Sequence, residues 1–316
     1  MLTLFYVTGR VVASGFPPYH NYRTVKLDIS TGTTQSGWPQ DYNGTGNNED
    51  VPASIAVDGS GNVFVTGSSI NSSGDKDYLT IGYNASGATL AGWPQRYNGT
   101  GDTADAPVQV LVAGNNVYVT GASMGVQKNW DILTIVYTYV GTVVSGWPQR
   151  YNGTGNGWDG VGSTESSSSY KPMAVDASGN VYVTGWTTSI DTNYDMITFM
   201  YNAAGVIQSG WPQIYDNAGN DDISRGVALD ASNDVCITGF TAPARTFTNG
   251  NYVTIEYGPS GATMAGLLCI TAPQTETTRH RPLQLSEMVY GLPGIAPVSA
   301  HLLISPPSNT AIATQQ

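Results

Sequence analysis

One eleven-residue stretch, Ser-Gly-Trp-Pro-Gln-Arg-Tyr-Asn-Gly-Thr-Gly at Ser145–Gly155, constrains this chain more than any other feature. It returns as Ser36–Gly46 and Ala91–Gly101, and more loosely as Ser209–Gly219. The tryptophans Trp38, Trp93, Trp147 and Trp211 stand 55, 54 and 64 residues apart. Self-similarity at such a period marks a repeat architecture, in which each unit buries its apolar faces only against its neighbours. Proline cannot donate to a strand ladder and is confined to sheet edges. The stretch therefore reads as the outermost strand of a small sheet, with Tyr-Asn-Gly-Thr-Gly turning the chain into the next unit.

Four strand segments fill one period, from Pro52 to Asn98. Ala53–Asp58 is a short strand of small residues. Asp58-Gly-Ser-Gly-Asn62 is a turn, because aspartate accepts backbone N–H groups and glycine tolerates positive φ. Val63-Phe-Val-Thr-Gly67 is an apolar, β-branched run expected to be covered on both faces. Asp77–Tyr83 is the third segment; after the Asn84–Gly87 turn, the fourth ends at Trp93-Pro94. The second segment recurs as Val117–Gly121, Val181–Gly185 and Val235–Gly239. The third recurs as Asp131–Tyr137, Asp195–Tyr201 and Asn251–Tyr257, and as a degenerate Asn21–Leu27. Four antiparallel strands with two apolar faces describe a β-propeller blade. The expected fold is all-β, a propeller of about four to five four-stranded blades, incomplete or open. A partial first blade over 1–46 lacks its innermost strand; blades follow over about 47–100, 101–155 and 156–219, and a truncated one over 220–265.

The succession Ala-Val-Asp-x-Ser-Gly-Asn-Val-Tyr-Val-Thr-Gly, then Asp-Tyr-x-Thr-Ile-x-Tyr, then Trp, resembles the SBBP-type β-propeller repeat family of bacterial exported proteins. The resemblance spans roughly residues 5–265. It implies a propeller in an extracellular or cell-surface protein, and it brings no catalytic residues with it.

After Gly266 the pattern stops: 2 of the 38 glycines and none of the seven tryptophans lie beyond it, so strand and turn chemistry end together. The segment 266–316 reads as an irregular tail and as a frame-slipped remainder of the fifth blade. Codons for Trp-Pro-Ala-Val-Tyr-Asn-Gly-Thr, read one nucleotide late, can spell the Gly-Leu-Leu-Cys-Ile-Thr-Ala-Pro found at Gly266–Pro273. The same offset relates Glu287–Gly294 and Leu303–Asn309 to later blade segments. A genuine proline-rich tail is the alternative.

Chemistry is sparse. The net charge of −11 speaks against nucleic acid and anionic membranes, which attract basic faces. No apolar run is long enough to insert in a membrane. Cys236 and Cys269 make no disulfide framework, and Cys236 stands where Phe64, Tyr118 and Tyr182 stand in other units. His20 is the one histidine ahead of the tail. There is no nucleophile elbow and no phosphate loop, so no cofactor is expected. The turns at Asp58, Asp176 and Asp230 look superficially like calcium loops, yet a serine holds the middle ligand place; they read as capped turns. Better cation candidates are the acidic loops at Asn47–Asp50, at Asp102 with Asp105, and at Asn220–Asp222. Calcium there is a secondary expectation to solvated connecting loops.

The functional expectation is a non-catalytic binding or scaffold module, its candidate ligands carbohydrate or another surface protein. One alternative is part of a polysaccharide-acting enzyme, which needs two carboxylates converging near the axis; the innermost strands carry mostly Ala, Val, Ile and Ser. Another is a purely architectural protein, associating through open blade edges. Three tryptophans fall outside the repeat: Trp130, Trp158 and Trp186. Trp158 sits in the insertion Asn156–Tyr170, assigned to the blade-to-blade loop. The three rings are expected to approach one another, with Asp131, Asp159 and Glu165 beside them to accept sugar hydroxyls. Packing of the insertion is the competing role for the same rings.

Overall fold

The computed structural model describes residues 4–13, 19–154, 156–162, 170–188, 193–217, 219–243, 250–264, 268–270 and 311–314. Their regular elements are all β-strands, gathered into five antiparallel sheets that follow the chain. The first sheet contains β1 (Leu4–Val12), β2 (His20–Asp28) and β3 (Gln40–Tyr42). The second comprises β4 (Asp50–Val57), β5 (Val63–Ile70), β6 (Lys76–Tyr83) and β7 (Gln95–Tyr97). In the third, β8 (Asp105–Ala113) is followed by β9 (Asn116–Met124), β10 (Trp130–Thr138) and β11 (Gln149–Tyr151). The fourth has its innermost strand in two pieces, β12 (Asp159–Gly160) and β13 (Met173–Val175). Both pair with β14 (Val181–Thr188), and β15 (Tyr194–Tyr201) and β16 (Gln213–Tyr215) complete it. The fifth is β17 (Asn220–Leu229), β18 (Val235–Pro243), β19 (Asn251–Tyr257) and β20 (Leu268–Ile270).

Each sheet packs on the next in chain order. Among the described residues no comparable packing joins the fifth sheet back to the first. This is an all-β, open β-propeller built of four-stranded blades.

The repeat explains the core. Second and third strands such as β5 and β6 are buried along most of their length, as runs covered on both faces must be. At the centre of each such pair two threonines meet: Thr66 with Thr80, Thr120 with Thr134 and Thr184 with Thr198, each at 2.9 Å between hydroxyl oxygens. One hydroxyl of each pair also donates to a strand carbonyl, so the buried polar groups are satisfied. The glycine after Thr66, Thr120 and Thr184 has a steric cause. A Cβ on Gly67 would sit 2.1 Å from the Val51 carbonyl oxygen, where the innermost strand bulges between Pro52 and Ser54.

Two expectations need correction. The Trp-Pro pair is not part of the outermost strand: the strand is the three residues after it, and each Trp–Pro bond is cis. The ring instead turns inward onto the following blade. Trp93 meets Tyr137 edge-on at 5.6 Å and donates its indole N–H to the Tyr139 carbonyl at 2.8 Å. Trp147 does the same with Tyr201 and Ala203, and Trp211 with Tyr257 and Pro259. Such edge-to-face pairs add about 0.5–1.5 kcal/mol each beyond the area buried.

The second correction concerns the tail, expected to hold no strands. Leu268–Ile270 pairs with Thr254, Val253 and Tyr252, taking the rim place that Gln213–Tyr215 takes in the fourth sheet. β21 (Ala311–Thr314) pairs with β1, Phe5 opposite Thr314 and Thr8 opposite Ala311, and so fills the innermost place missing from the first blade. The remaining tail residues, with His280, His301 and the frame-slip matches at Glu287–Gly294 and Leu303–Asn309, lie outside the described residues.

Candidate functional site

The acidic residues are organised by strand register. In the second blade Asp50, Ser69 and Asp77 stand opposite one another on β4, β5 and β6. Arg96 reaches back from β7 along this row. Its guanidinium donates to the Asp77 carboxylate at 2.8 Å, to the Ser69 carbonyl at 2.9 Å and to the Ser69 hydroxyl at 2.7 Å. The third blade repeats the row with Asp105, Ser123, Asp131 and Arg150. The first aspartate of each row also accepts the backbone N–H of the preceding turn: Asp50 from Gly44, Asp105 from Gly99, Asp159 from Gly153 and Asp222 from Asn217. These carboxylates close the turns after the rim strands, Tyr-Asn-Gly for the first three and Tyr215-Asp216-Asn217 for Asp222. They are buried, and burial pushes Asp50, Asp105 and Asp222 above the usual carboxylate range.

That placement corrects the roles expected of Asp131 and Asp159. Asp131 is buried and bound by Arg150; Asp159 is 0 % exposed and accepts from Gly153 and from the Thr187 hydroxyl. Neither is presented to a ligand. Burial, with a smaller push from Asp131, raises Asp159 to about 6. Glu165 lies outside the described residues.

The insertion is also placed differently. In β4, β8 and β17 a single bulged residue interrupts the pairing, at Ala53, Val108 and Arg225. In the fourth blade the pairing is lost between Gly160, opposite Trp186, and Met173, opposite Val183. The extra chain thus interrupts the innermost strand where the other blades carry their bulge, rather than lengthening the loop between blades. Its returning end is tied to the fifth blade: Lys171 exchanges backbone hydrogen bonds with Arg225 and Val227, and the Arg225 guanidinium stacks 4.4 Å from the Tyr170 ring.

Two of the three extra tryptophans converge. Trp130 and Trp186 line one small cleft with Val108, Val161 and Asp159; its enclosed space is about 10 Å3, room for a single water molecule. Trp186 is a packing residue: it donates to the Gly162 carbonyl at 3.2 Å, meets Tyr194 edge-on at 4.6 Å, and occupies the space a side chain at residue 160 would need. Trp158 is not in that lining. Its backbone is pinned by three hydrogen bonds to Thr188, and the carbonyls of Asn156 and Gly157 before it accept from Asn129, yet its side chain leaves the residue 53 % exposed. A large ring on a fixed backbone is the arrangement that stacking on a flat ligand requires.

The expected turns at Asp58, Asp176 and Asp230 close as capped turns, each aspartate accepting two backbone N–H groups two and four residues on. Among the described residues, Asp195, Asp216 and Asp222 each bring a carboxylate oxygen within 4.8 Å of the others. The arginine rows were not read from the sequence. Their signal was present, since Asp, Ser, Asp and Arg recur at the repeat period, but it acquires meaning only once the register is known.

The SBBP β-propeller repeat matches residues 40–75 and 161–191. No curated protein matches the chain. Among solved structures, a periplasmic gluconolactonase of Pseudomonas aeruginosa is similar at 10% identity, covering 84% of this chain and 82% of that one, with a TM-score of 0.36. An endo-arabinase from Bacteroides thetaiotaomicron aligns at 11% identity over 69% and 80%, with a TM-score of 0.40. A mannose phosphorylase from Leishmania mexicana aligns at 12% identity over 85% of each chain, with a TM-score of 0.34.

Proposed function

From a chain that carries SBBP β-propeller repeats, we propose a non-catalytic binding or scaffold module of an exported protein, with carbohydrate as the ligand class. The observation that carries this reading is the contrast between Trp158 and the carboxylates of Asp131 and Asp159. The ring is exposed on a pinned backbone, while Asp131 and Asp159 are buried and engaged. Acid–base hydrolysis of a glycoside needs two accessible carboxylates flanking the bond. The cleft lined by Trp130 and Trp186 has room for about one water molecule and cannot enclose a sugar. Stacking on an exposed indole needs neither.

A glycan array probed with the parent and with Trp158→Ala, alongside thermal melts of both, tests the proposal. The parent binds a defined subset of glycans, and the variant loses about tenfold in affinity with an unchanged melt. No glycan binding by the parent, or equal binding by the variant, overturns it.

A further inference from the structure

We propose that the surface at Trp158 selects carboxylated sugars, the Lys128 ammonium pairing with the carboxylate while the indole stacks on the sugar ring. This rests on the reading of Trp158 as a ligand-stacking residue and gives that ligand its chemical class.

Two loops are joined at this surface. One is the hairpin at 125–129 between β9 and β10, and the other is the segment 156–158 that leads into β12. The Asn129 side chain ties them, donating to the Gly157 carbonyl at 2.8 Å and to the Asn156 carbonyl at 3.3 Å. Asn129 is buried, and Thr188 holds the Trp158 backbone from the other side. Lys128 and Trp158 thus each stand one residue from the same pair of groups.

The tied loops present more apolar surface than their neighbours. Among the described residues Val126 is the most exposed large apolar side chain, at 73 %, and Trp158 is the most exposed aromatic. Lys128, two residues after Val126, is exposed as well. It pairs with no described carboxylate, whereas Arg10, Arg23, Arg96 and Arg150 all do. Asp131 and Asp159, on the strands these loops lead into, are buried and already engaged, so neither neutralises it.

The backbone of Lys128 is a second, independent observation. The hairpin at 71–75 of the second blade closes with the same two backbone hydrogen bonds, and its left-handed position is Gly74, at φ +96°. In the third blade that position holds Lys128, at φ +60°. A lysine there carries strain that glycine avoids, and such strain gathers at ligand clamps. The side chain itself is a point charge on a long flexible stem, able to meet a carboxylate on a ring stacked nearby. On a chain of net charge −11, one free cation suits a single carboxylate better than a polyanion.

The experiment titrates glucuronic- and galacturonic-acid-terminated disaccharides, each as free acid and as methyl ester, into the parent, Lys128→Gly and Trp158→Ala at low salt. The ester keeps the ring and removes the charge. The parent binds one of the acids about threefold to fivefold tighter than its ester, and added salt narrows the gap. Lys128→Gly binds acid and ester alike, as the parent binds the ester, and keeps the parent's melt because glycine accepts this φ. Trp158→Ala weakens both forms about tenfold. Equal affinity of the parent for acid and ester, or a preference that survives Lys128→Gly, overturns the role of Lys128 and leaves that of Trp158 standing. Binding of none of the sugars, or binding that Trp158→Ala leaves unchanged, overturns the Trp158 reading and this inference with it.

Discussion

Arg150, on the short rim strand β11, reaches back to Asp131 on β10 and sets a guanidinium nitrogen 2.8 Å from the carboxylate. The same side chain holds the Ser123 hydroxyl at 2.6 Å, so one residue ties three strands of its blade together. Removing either partner leaves the other charge in a buried setting. Arg150→Ala is therefore expected to cost about 3 kcal/mol, and Asp131→Ala a similar amount. The double variant should cost clearly less than the sum of the two, by a coupling of at least about 1 kcal/mol. Urea melts of the four proteins measure it; additive losses would show that the pair contributes no more than packing.

Asp159 makes the fold sensitive to pH. Its folded value of about 6 lies above its ordinary 3.8, so the fold favours the protonated acid. The stability this contributes is complete below about pH 4 and is lost as pH rises through 6, a change of at most about 3 kcal/mol. Asp159→Asn keeps an acceptor for the Gly153 N–H and removes the titration. The variant should therefore be more stable than the parent at pH 8, and the difference should shrink toward pH 4. A parent–variant difference that is flat with pH would show that Asp159 is ionised throughout.

Gly92 precedes the inward-turned Trp93 and carries a φ of +83°, with space for a Cβ only 2.0 Å from the Val140 carbonyl oxygen of the next blade. Gly92→Ala should cost at least about 2 kcal/mol, from strain and from the clash. Gly59→Ala is the control, because its Cβ would meet nothing within 4 Å. A thermal melt that lowers both equally would contradict the close approach between blades.

Ending the chain at residue 308 removes Ala311–Thr314 and leaves β1 without the strand that pairs it at Phe5–Thr8. An uncovered edge recruits other strands. The truncated protein should associate at concentrations where the parent does not, which light scattering reads directly. Identical scattering from the two would mean that the edge of β1 is not protected by this strand.

The blades were legible because each announces itself locally. Val-Thr-Gly runs, Asp-capped turns and the Trp-Pro element need only neighbouring residues to be read. What the sequence withheld is relational. The inward turn of Trp93 depends on Tyr137 and Tyr139 of the following blade, forty-odd residues on. The pairing of Ala311–Thr314 with β1 joins opposite ends of the chain through a short segment with no distinguishing pattern. The insertion was assigned to a connecting loop because a bulge is a property of backbone pairing, invisible until Gly160 and Met173 are seen opposite Trp186 and Val183. The burial of Asp131 and Asp159 is hidden for the same reason: it follows from register, and an aspartate looks alike on a rim or in a seam.

The proposed module holds a ligand at Trp158 without transforming it. The direct measurement is a single incubation of the parent with the glycan it binds best, followed for both bound ligand and newly formed reducing ends. The expected result is saturable binding that weakens about tenfold in Trp158→Ala, with no reducing ends formed. Turnover that disappears in Asp159→Asn, or binding that ignores Trp158, would contradict it.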